Sequence, residues 1–176
     1  MSAIRYELGS DQILTLTIDM PGQSANTMNA AFRDALSETA AKVKDDLDNI
    51  RGVIIASAKK TFFAGGDLKE LYKVTREDAR TFEDMVNGLK SHMRFLETSG
   101  KPVVAAINGS ALGGGLEIAL ACHHRIVADV KGVQIGLPEV TLGLLPGGGG
   151  VTRTVRMFGI QKAFMEVLSQ GTRFKP

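Results

Sequence analysis

Two glutamates stand in stretches that are otherwise apolar. Glu117 follows a triple glycine in LGGGLEIALA, with Leu116, Ile118, Ala119 and Leu120 beside it, and Glu139 lies in GLPEVTLG. A carboxylate is costly to bury unless it has a partner or a task. Two of them are candidates for paired acid–base work, one taking a proton while the other gives one. The plainer reading is that Glu117 complements a helix N-terminus and Glu139 caps a turn. Spacing alone leaves both open.

The second chemical signal is glycine. The chain has 20, clustered at 65–66, 113–115 and 147–150. Such runs let a backbone approach a ligand closely or adopt positive φ. The GGGLE turn, with Gly113 and Gly114 ahead of Glu117, opens a helix and so presents unpaired N–H groups and a positive dipole end. The AGGD turn, Ala64, Gly65, Gly66 and Asp67, reads as a second junction, from a strand into a short helix. Brought together, the two would form a two-donor oxyanion hole, in which losing one donor typically raises the barrier by about 3–4 kcal/mol. Each is also explicable as a tight turn.

Other chemistries find less support. His123 and His124 beside Cys122 suggest metal, but adjacent strand residues point to opposite faces and no further ligand cluster is visible. Ser110 lacks the glycine frame of a nucleophile elbow. There is no P-loop and no G-x-G-x-x-G after a strand. Lys59, Lys60, Lys69 and Lys73 surround the AGGD turn, where they could meet phosphates or simply be solvated.

The elements that must hold these residues alternate in type. Residues 4–8 and 13–18 read as strands, the second with a period of two. Phe32, Ala35, Leu36, Thr39, Ala40, Val43 and Leu47 recur at helical spacing. GVIIA, 52–56, is a buried strand, and 77–96 a helix with Phe82, Met85, Leu89 and Met93 on one side. PVVAAI, 102–107, and 125–128 are further strands, and 116–121 is a short helix. From Pro138 onward the chain reads as short helices around the GGGG loop. The last, 160–169, carries Ile160, Ala163, Phe164, Val167 and Leu168 as one stripe and ends at Gly171. Strands alternating with helices argue an α/β fold with parallel crossovers, in one domain.

Composition is that of an ordinary globular chain: 176 residues, 44% hydrophobic, 23% charged. A net charge of +2 gives no footing for nucleic acid. No apolar run is long enough to span a membrane. The N-terminus has no signal-peptide core, and one cysteine makes no disulfide framework. The expectation is a cytoplasmic protein.

The run INGSALGGGLEIALACHHRIVAD, 107–129, with FFAGGDLKEL before it and GLPEVTLGLLPGGGG after it, resembles the enoyl-CoA hydratase/isomerase (crotonase) family. ALACHHRIVAD and the final GVTRTVRMFGIQKAFMEVLSQGTRF are most similar to the N-terminal hydratase half of a multifunctional fatty-acid oxidation enzyme. The resemblance spans essentially the whole chain. It implies a spiral of repeated ββα units. It places the oxyanion donors on the N–H groups of Gly66 and Gly114, and the catalytic carboxyls on Glu117 and Glu139. It puts the acyl-CoA thioester along Ala64, Gly65, Gly66, Asp67, Leu68 and Lys69, beside Gly113 and Gly114, with further contact from Ser24, Ala25 and Asn26. No separate cofactor is implied, because coenzyme A enters as part of the substrate.

The implied reaction is reversible addition of water to a 2-enoyl-CoA, giving the 3-hydroxyacyl-CoA of β-oxidation. In that pattern Glu117 assists attack of water on Cβ and Glu139 supplies the proton to Cα. The rivals are a 3,2-enoyl-CoA isomerase, which works with the Glu139 position alone, and a non-catalytic acyl-CoA or partner-binding domain. Family members continue with several helices that complete the pocket and build trimers. The expectation is therefore a crotonase-like domain over residues 1–176, truncated at its C-terminal end. Such a chain would self-associate, as a trimer-type homo-oligomer or as a subunit of a β-oxidation complex.

Overall fold

Chain geometry begins with a hairpin. β1 (Ile4–Leu8) pairs antiparallel with β2 (Ile13–Ile18). Gln12 takes φ +64 in the connecting turn, where Asp11 accepts the Ile13 N–H at 3.1 Å. The computed structural model describes residues 2–176. α1 (Ala30–Asp45) starts at Asn29, whose side chain accepts the Phe32 N–H, and has Lys42 and Lys44 in its last turn, where cations suit the helix dipole. Its apolar stripe, Phe32 to Val43, is buried as the spacing predicts.

Then follow β3 (Gly52–Ser57), α2 (Leu68–Leu71), α3 (Ala79–Thr98), β4 (Val103–Ile107), β5 (Ala111–Leu112), α4 (Gly114–Leu120), β6 (His124–Val127) and β7 (Ile135–Gly136). A 3-10 turn, Pro138–Leu142, leads to α5 (Gly150–Phe158), α6 (Ile160–Lys162) and β8 (Arg173–Phe174). The main sheet has the order β1-β2-β3-β4-β6 and is parallel except for β1. A second sheet has the order β5-β7-β8.

The two sheets make the spiral. β4 in the main sheet is followed by β5 in the small one and then by α4; β6, β7 and α5 repeat the pattern. Earlier turns of the spiral have only single bridges in place of the short strand, Met28 to Gly66 and Phe63 to Ala111. The ββα unit is therefore present at each turn, but its second strand shrinks to two residues or one. Strands that short carry no readable period, which is why sequence patterning misses β5, β7 and β8.

The core lies between the main sheet and the helices. Phe32 and Phe63, both almost fully buried, meet edge to face with ring centroids 4.8 Å apart. Truncating such a phenylalanine typically costs about 3–5 kcal/mol. Phe63 immediately precedes the AGGD turn, so the core itself anchors that turn. The turn follows a six-residue loop, 58–63, after β3 rather than a strand directly.

The last helix differs from expectation. α6 passes into a π-helix, Ala163–Leu168, where Ser169 donates to the Phe164 carbonyl five residues back. The wider turn splits the expected stripe. Ala163 and Val167 are buried, while Ile160 and Phe164 are 77% and 57% exposed.

Candidate active site

The structure brings the two glycine turns into contact. Phe62 and Phe63 both donate to the Ser110 carbonyl, and Leu112 donates to Phe63. Ala64 donates to the Asn26 carbonyl at 2.8 Å, and Met28 to that of Gly65 at 2.9 Å. Gly65 sits at φ +103, and a Cβ there would lie 3.1 Å from the Leu112 carbonyl oxygen. Gly113 has φ +53, and its missing Cβ would lie 3.7 Å from Gly65 Cα. Side chains at either point would strain the backbone and push the turns apart. Neither the Gly66 nor the Gly114 N–H is taken by a backbone carbonyl of a turn or loop. Gly114 is the first residue of α4, where N–H groups have no partner within the helix.

The two carboxyls have different environments. Glu117, in the first turn of α4, is only 4% exposed. Its Oε1 accepts the Gly150 N–H at 2.8 Å. Burial pushes its protonation pH up, partly offset by the N–H groups of Gly150 and Gly148 and by the cations of Arg153 and Lys90. Glu139, on the 3-10 turn, is half-buried, yet its Oε2 is out of water and has no hydrogen-bond partner. Its Oε1 would lie 3.0 Å from a Cβ at Gly113. Burial, with the charge of Glu117 adding to it, pushes Glu139 up to about 7 despite an opposing backbone hydrogen bond. A carboxyl poised there can give or take a proton near neutral pH.

Gly66, Gly114, Glu117 and Glu139 all line one cavity of about 640 Å3. Ala64, Gly65, Asp67, Leu68 and Gly113 line it as well. Its apolar wall comes from Met28, Leu71, Phe82, Met85, Leu89 and Leu145. Phe82 and Met85 belong to the apolar side of α3, so the sequence stripe is part core and part cavity wall.

Several expected residues are placed elsewhere. Lys69 is exposed outside the lining, and its N–H is accepted by Asp67, which caps α2. Ser24, Ala25 and Asn26 do not line the cavity. Asn26 is fully buried; its amide nitrogen lies within hydrogen-bonding distance of the Ile18 and Phe62 carbonyls and Ser57 Oγ, and its oxygen accepts from Met20. Its side chain therefore ties Met20, β2, Ser57 and Phe62 together, and its main-chain carbonyl holds Ala64 of the AGGD turn. Lys59 is paired with Asp19 at 2.8 Å. His123 Nδ1 accepts the Val103 N–H. Among the described residues no three His, Cys, Asp or Glu side chains gather as a metal site, and no helix is long and apolar enough to cross a membrane.

Sequence reasoning misses the role of the third glycine cluster. Gly148 packs on Glu117 Oε2, where a Cβ would sit 2.7 Å away, and Gly150 binds Oε1. The available signal is a GGGG run leading into a helix, again a junction that frees N–H groups.

Comparison with known proteins fits this geometry. The model of the enoyl-CoA hydratase/isomerase family matches residues 9–176. The chain belongs to the enoyl-CoA hydratase/isomerase family. Among curated relatives of this member, the fatty acid oxidation complex subunit alpha of Shewanella loihica is 48% identical over 161 residues, covering 89% of the chain and 22% of the relative. The subunit of the same name from Shewanella baltica strain OS185 is 44% identical over 170 residues, 94% of the chain and 23% of the relative. The chain thus spans less than a quarter of the length of these relatives. The crystal structure of an enoyl-CoA hydratase from Geobacillus kaustophilus superposes with a TM-score of 0.89 at 26% identity, covering all of this chain and 64% of that one. An enoyl-CoA hydratase from Bacillus anthracis gives 0.84 at 33% identity, covering 98% and 64%. The crotonase-type α/β fold is that of these hydratases.

Proposed function

We propose that this family member hydrates 2-enoyl-CoA thioesters reversibly to 3-hydroxyacyl-CoA in fatty-acid β-oxidation. The observation that carries the reading is that Glu139, whose Oε2 is buried without a hydrogen-bond partner, lines the same cavity as Glu117, Gly66 and Gly114, the two glycines with N–H groups that no turn or loop carbonyl takes. The thioester carbonyl accepts from the two N–H groups, which stabilise the enolate oxygen as conjugation carries charge onto it. Glu117, aimed by Gly150, takes a proton from water as its oxygen bonds to Cβ. Glu139 gives its proton to Cα. One water is added, and the two carboxyls exchange protonation states. Coenzyme A is the handle of the substrate, laid along Ala64 to Leu68, with Lys69 and the exposed Ser24 and half-buried Ala25 at its edge.

Glu139 alone can move a proton between Cα and Cγ, because its Oε2 is free while Glu117 is tied to the glycine loop. Shifting a 3-enoyl double bond to the 2-position is therefore the second reading. Relatives named as subunits of a fatty acid oxidation complex support assembly into such a complex. The exposed Ile160, Phe164 and Met165 offer apolar surface for it or for a homo-oligomer. A cytoplasmic setting accompanies this reading; the one cysteine, Cys122, is free and buried. The test is loss of the conjugated enoyl-thioester absorbance on mixing a short 2-enoyl-CoA with the full-length protein. Turnover supports hydration, and none from a folded oligomeric sample refutes it.

A further inference from the structure

Behind Glu117 runs a chain of polar contacts with no part in the hydration chemistry described above. The Gly148 carbonyl, in the loop that holds Glu117, accepts from Arg153 Nη1 at 3.2 Å. Arg153 is in turn held by Glu97 of α3 through two bonds, Nε to Oε1 at 3.2 Å and Nη2 to Oε2 at 3.0 Å. Arg94 donates to the same Oε2 at 2.8 Å. The side chains of Arg153 and Glu97 are 14% and 25% exposed, so this pair is screened less than a surface one. Burial alone would raise Glu97; the bonds from Arg153 and Arg94 outweigh it and hold its carboxyl below the ordinary range.

The loop needs such a support. Residues 147–150 are all glycine, so they have the widest backbone freedom and no side chains to lock them. Yet the Gly150 N–H must meet Glu117 Oε1 at 2.8 Å. A planar guanidinium fixed at two points by a carboxylate has a defined direction, and its third edge is here on the loop carbonyl.

We propose that Arg153, clamped by Glu97, is a positioning residue for Glu117: it sets the glycine loop whose N–H groups aim that carboxylate. The inference deepens the hydration reading and rests on it for what Glu117 is aimed at. The charged groups that bear on Glu117 are Lys90 from α3, Arg153 from α5 and Glu139 from the 3-10 turn. Both the Arg153 cation and the loop N–H groups favour the charged form of Glu117. Removing Arg153 therefore moves its protonation to higher pH.

The experiment uses the full-length protein with Arg153→Gln, Arg153→Lys and Glu97→Gln. Two readouts are taken across pH: kcat and KM on a short 2-enoyl-CoA, and the infrared carboxyl band of Glu117, assigned by its loss in Glu117→Gln. Arg153→Gln should lower kcat by about ten- to a hundredfold while KM moves by less than about twofold, the mark of a misplaced reacting group. Its acid limb and the Glu117 band should both shift to higher pH. Arg153→Lys should restore much of the pH position but little of kcat, because lysine keeps the charge and loses the fork. Glu97→Gln frees the guanidinium but keeps its charge, so it should lower kcat by less than Arg153→Gln and leave the acid limb and band at or below their wild-type position. A folded Arg153→Gln with the wild-type acid limb and band position overturns the proposal, as does a rate loss equal at every pH that only tracks unfolded protein; if Arg153→Gln does not fold, a folded Glu97→Gln with wild-type kcat overturns it. An inactive wild type would remove the hydration reading, while the infrared titration would still decide the positioning.

Discussion

Replacing Glu139 with glutamine should stabilise the protein and disable it, and the stability gain should depend on pH. The carboxyl ordinarily loses its proton near 4.5, and in the folded protein near 7. The folded state thus favours the protonated form. Below about pH 4.5 both states hold the proton and Glu139 adds no penalty. As pH rises from 4.5 to 7, only the unfolded chain releases it, so native stability falls; above 7 the penalty is constant. At roughly 1.4 kcal/mol per pH unit the full difference is about 3 kcal/mol. Residual access of water to this half-buried group reduces it to about 2 kcal/mol. Glutamine has the same shape and no charge, so it escapes the penalty. In a domain of this size about 2 kcal/mol corresponds to a Tm about 4–8 °C higher. The assay is thermal unfolding of wild type and Glu139→Gln at pH 4 and pH 8. The gain should be small at pH 4 and full at pH 8, with hydration down by about 100-fold or more. A gain equal at both values, or none at pH 8, would show that the folded protein does not desolvate Glu139.

Glu117→Gln should abolish most hydration yet leave any double-bond isomerisation measurable, whereas Glu139→Gln should damage both; a stopped assay with 2- and 3-enoyl-CoA separates them. The wild-type pH profile of kcat/KM should be bell-shaped, falling on the acid side as Glu117 takes a proton and on the alkaline side near 7 as Glu139 loses one. Gly114→Pro removes one enolate donor at the first position of α4, where proline suits a helix, so the protein should fold while turnover drops by about 100-fold. Normal turnover by the folded variant would take that N–H out of the mechanism. Asn26→Ala should cost about 3 kcal/mol in urea unfolding, since it strands the Met20 N–H and the Phe62 carbonyl.

The two glutamates and the first two glycine turns are legible in the sequence because each breaks a local pattern: a charge among apolar residues, or glycine at the opening of a helix. The long elements are legible because their periods run for several residues. What stays hidden depends on contacts between distant positions. Gly150 reaches Glu117 across 33 residues of chain, and nothing near either marks the pairing. Asn26 enters the sequence reading only as a substrate contact implied by the resemblance, and nothing near it in the chain marks that it is fully buried and ties together β2, Ser57 and Phe62. The small sheet escapes because its strands have two residues each. The last helix misleads because one widened turn rotates Ile160 and Phe164 away from Ala163 and Val167.

The central claim is that Glu117 directs water to Cβ while Glu139 protonates Cα in one cavity. It is tested most directly by following the fate of isotopes in a single short 2-enoyl-CoA. The full-length protein is given the substrate in labelled water, and the product is analysed by mass spectrometry and NMR. Oxygen from water at C3 together with one solvent hydrogen at C2, both lost in Glu117→Gln, is the predicted result. Solvent hydrogen entering the acyl chain with no oxygen at C3, in the wild type at every pH, would contradict it.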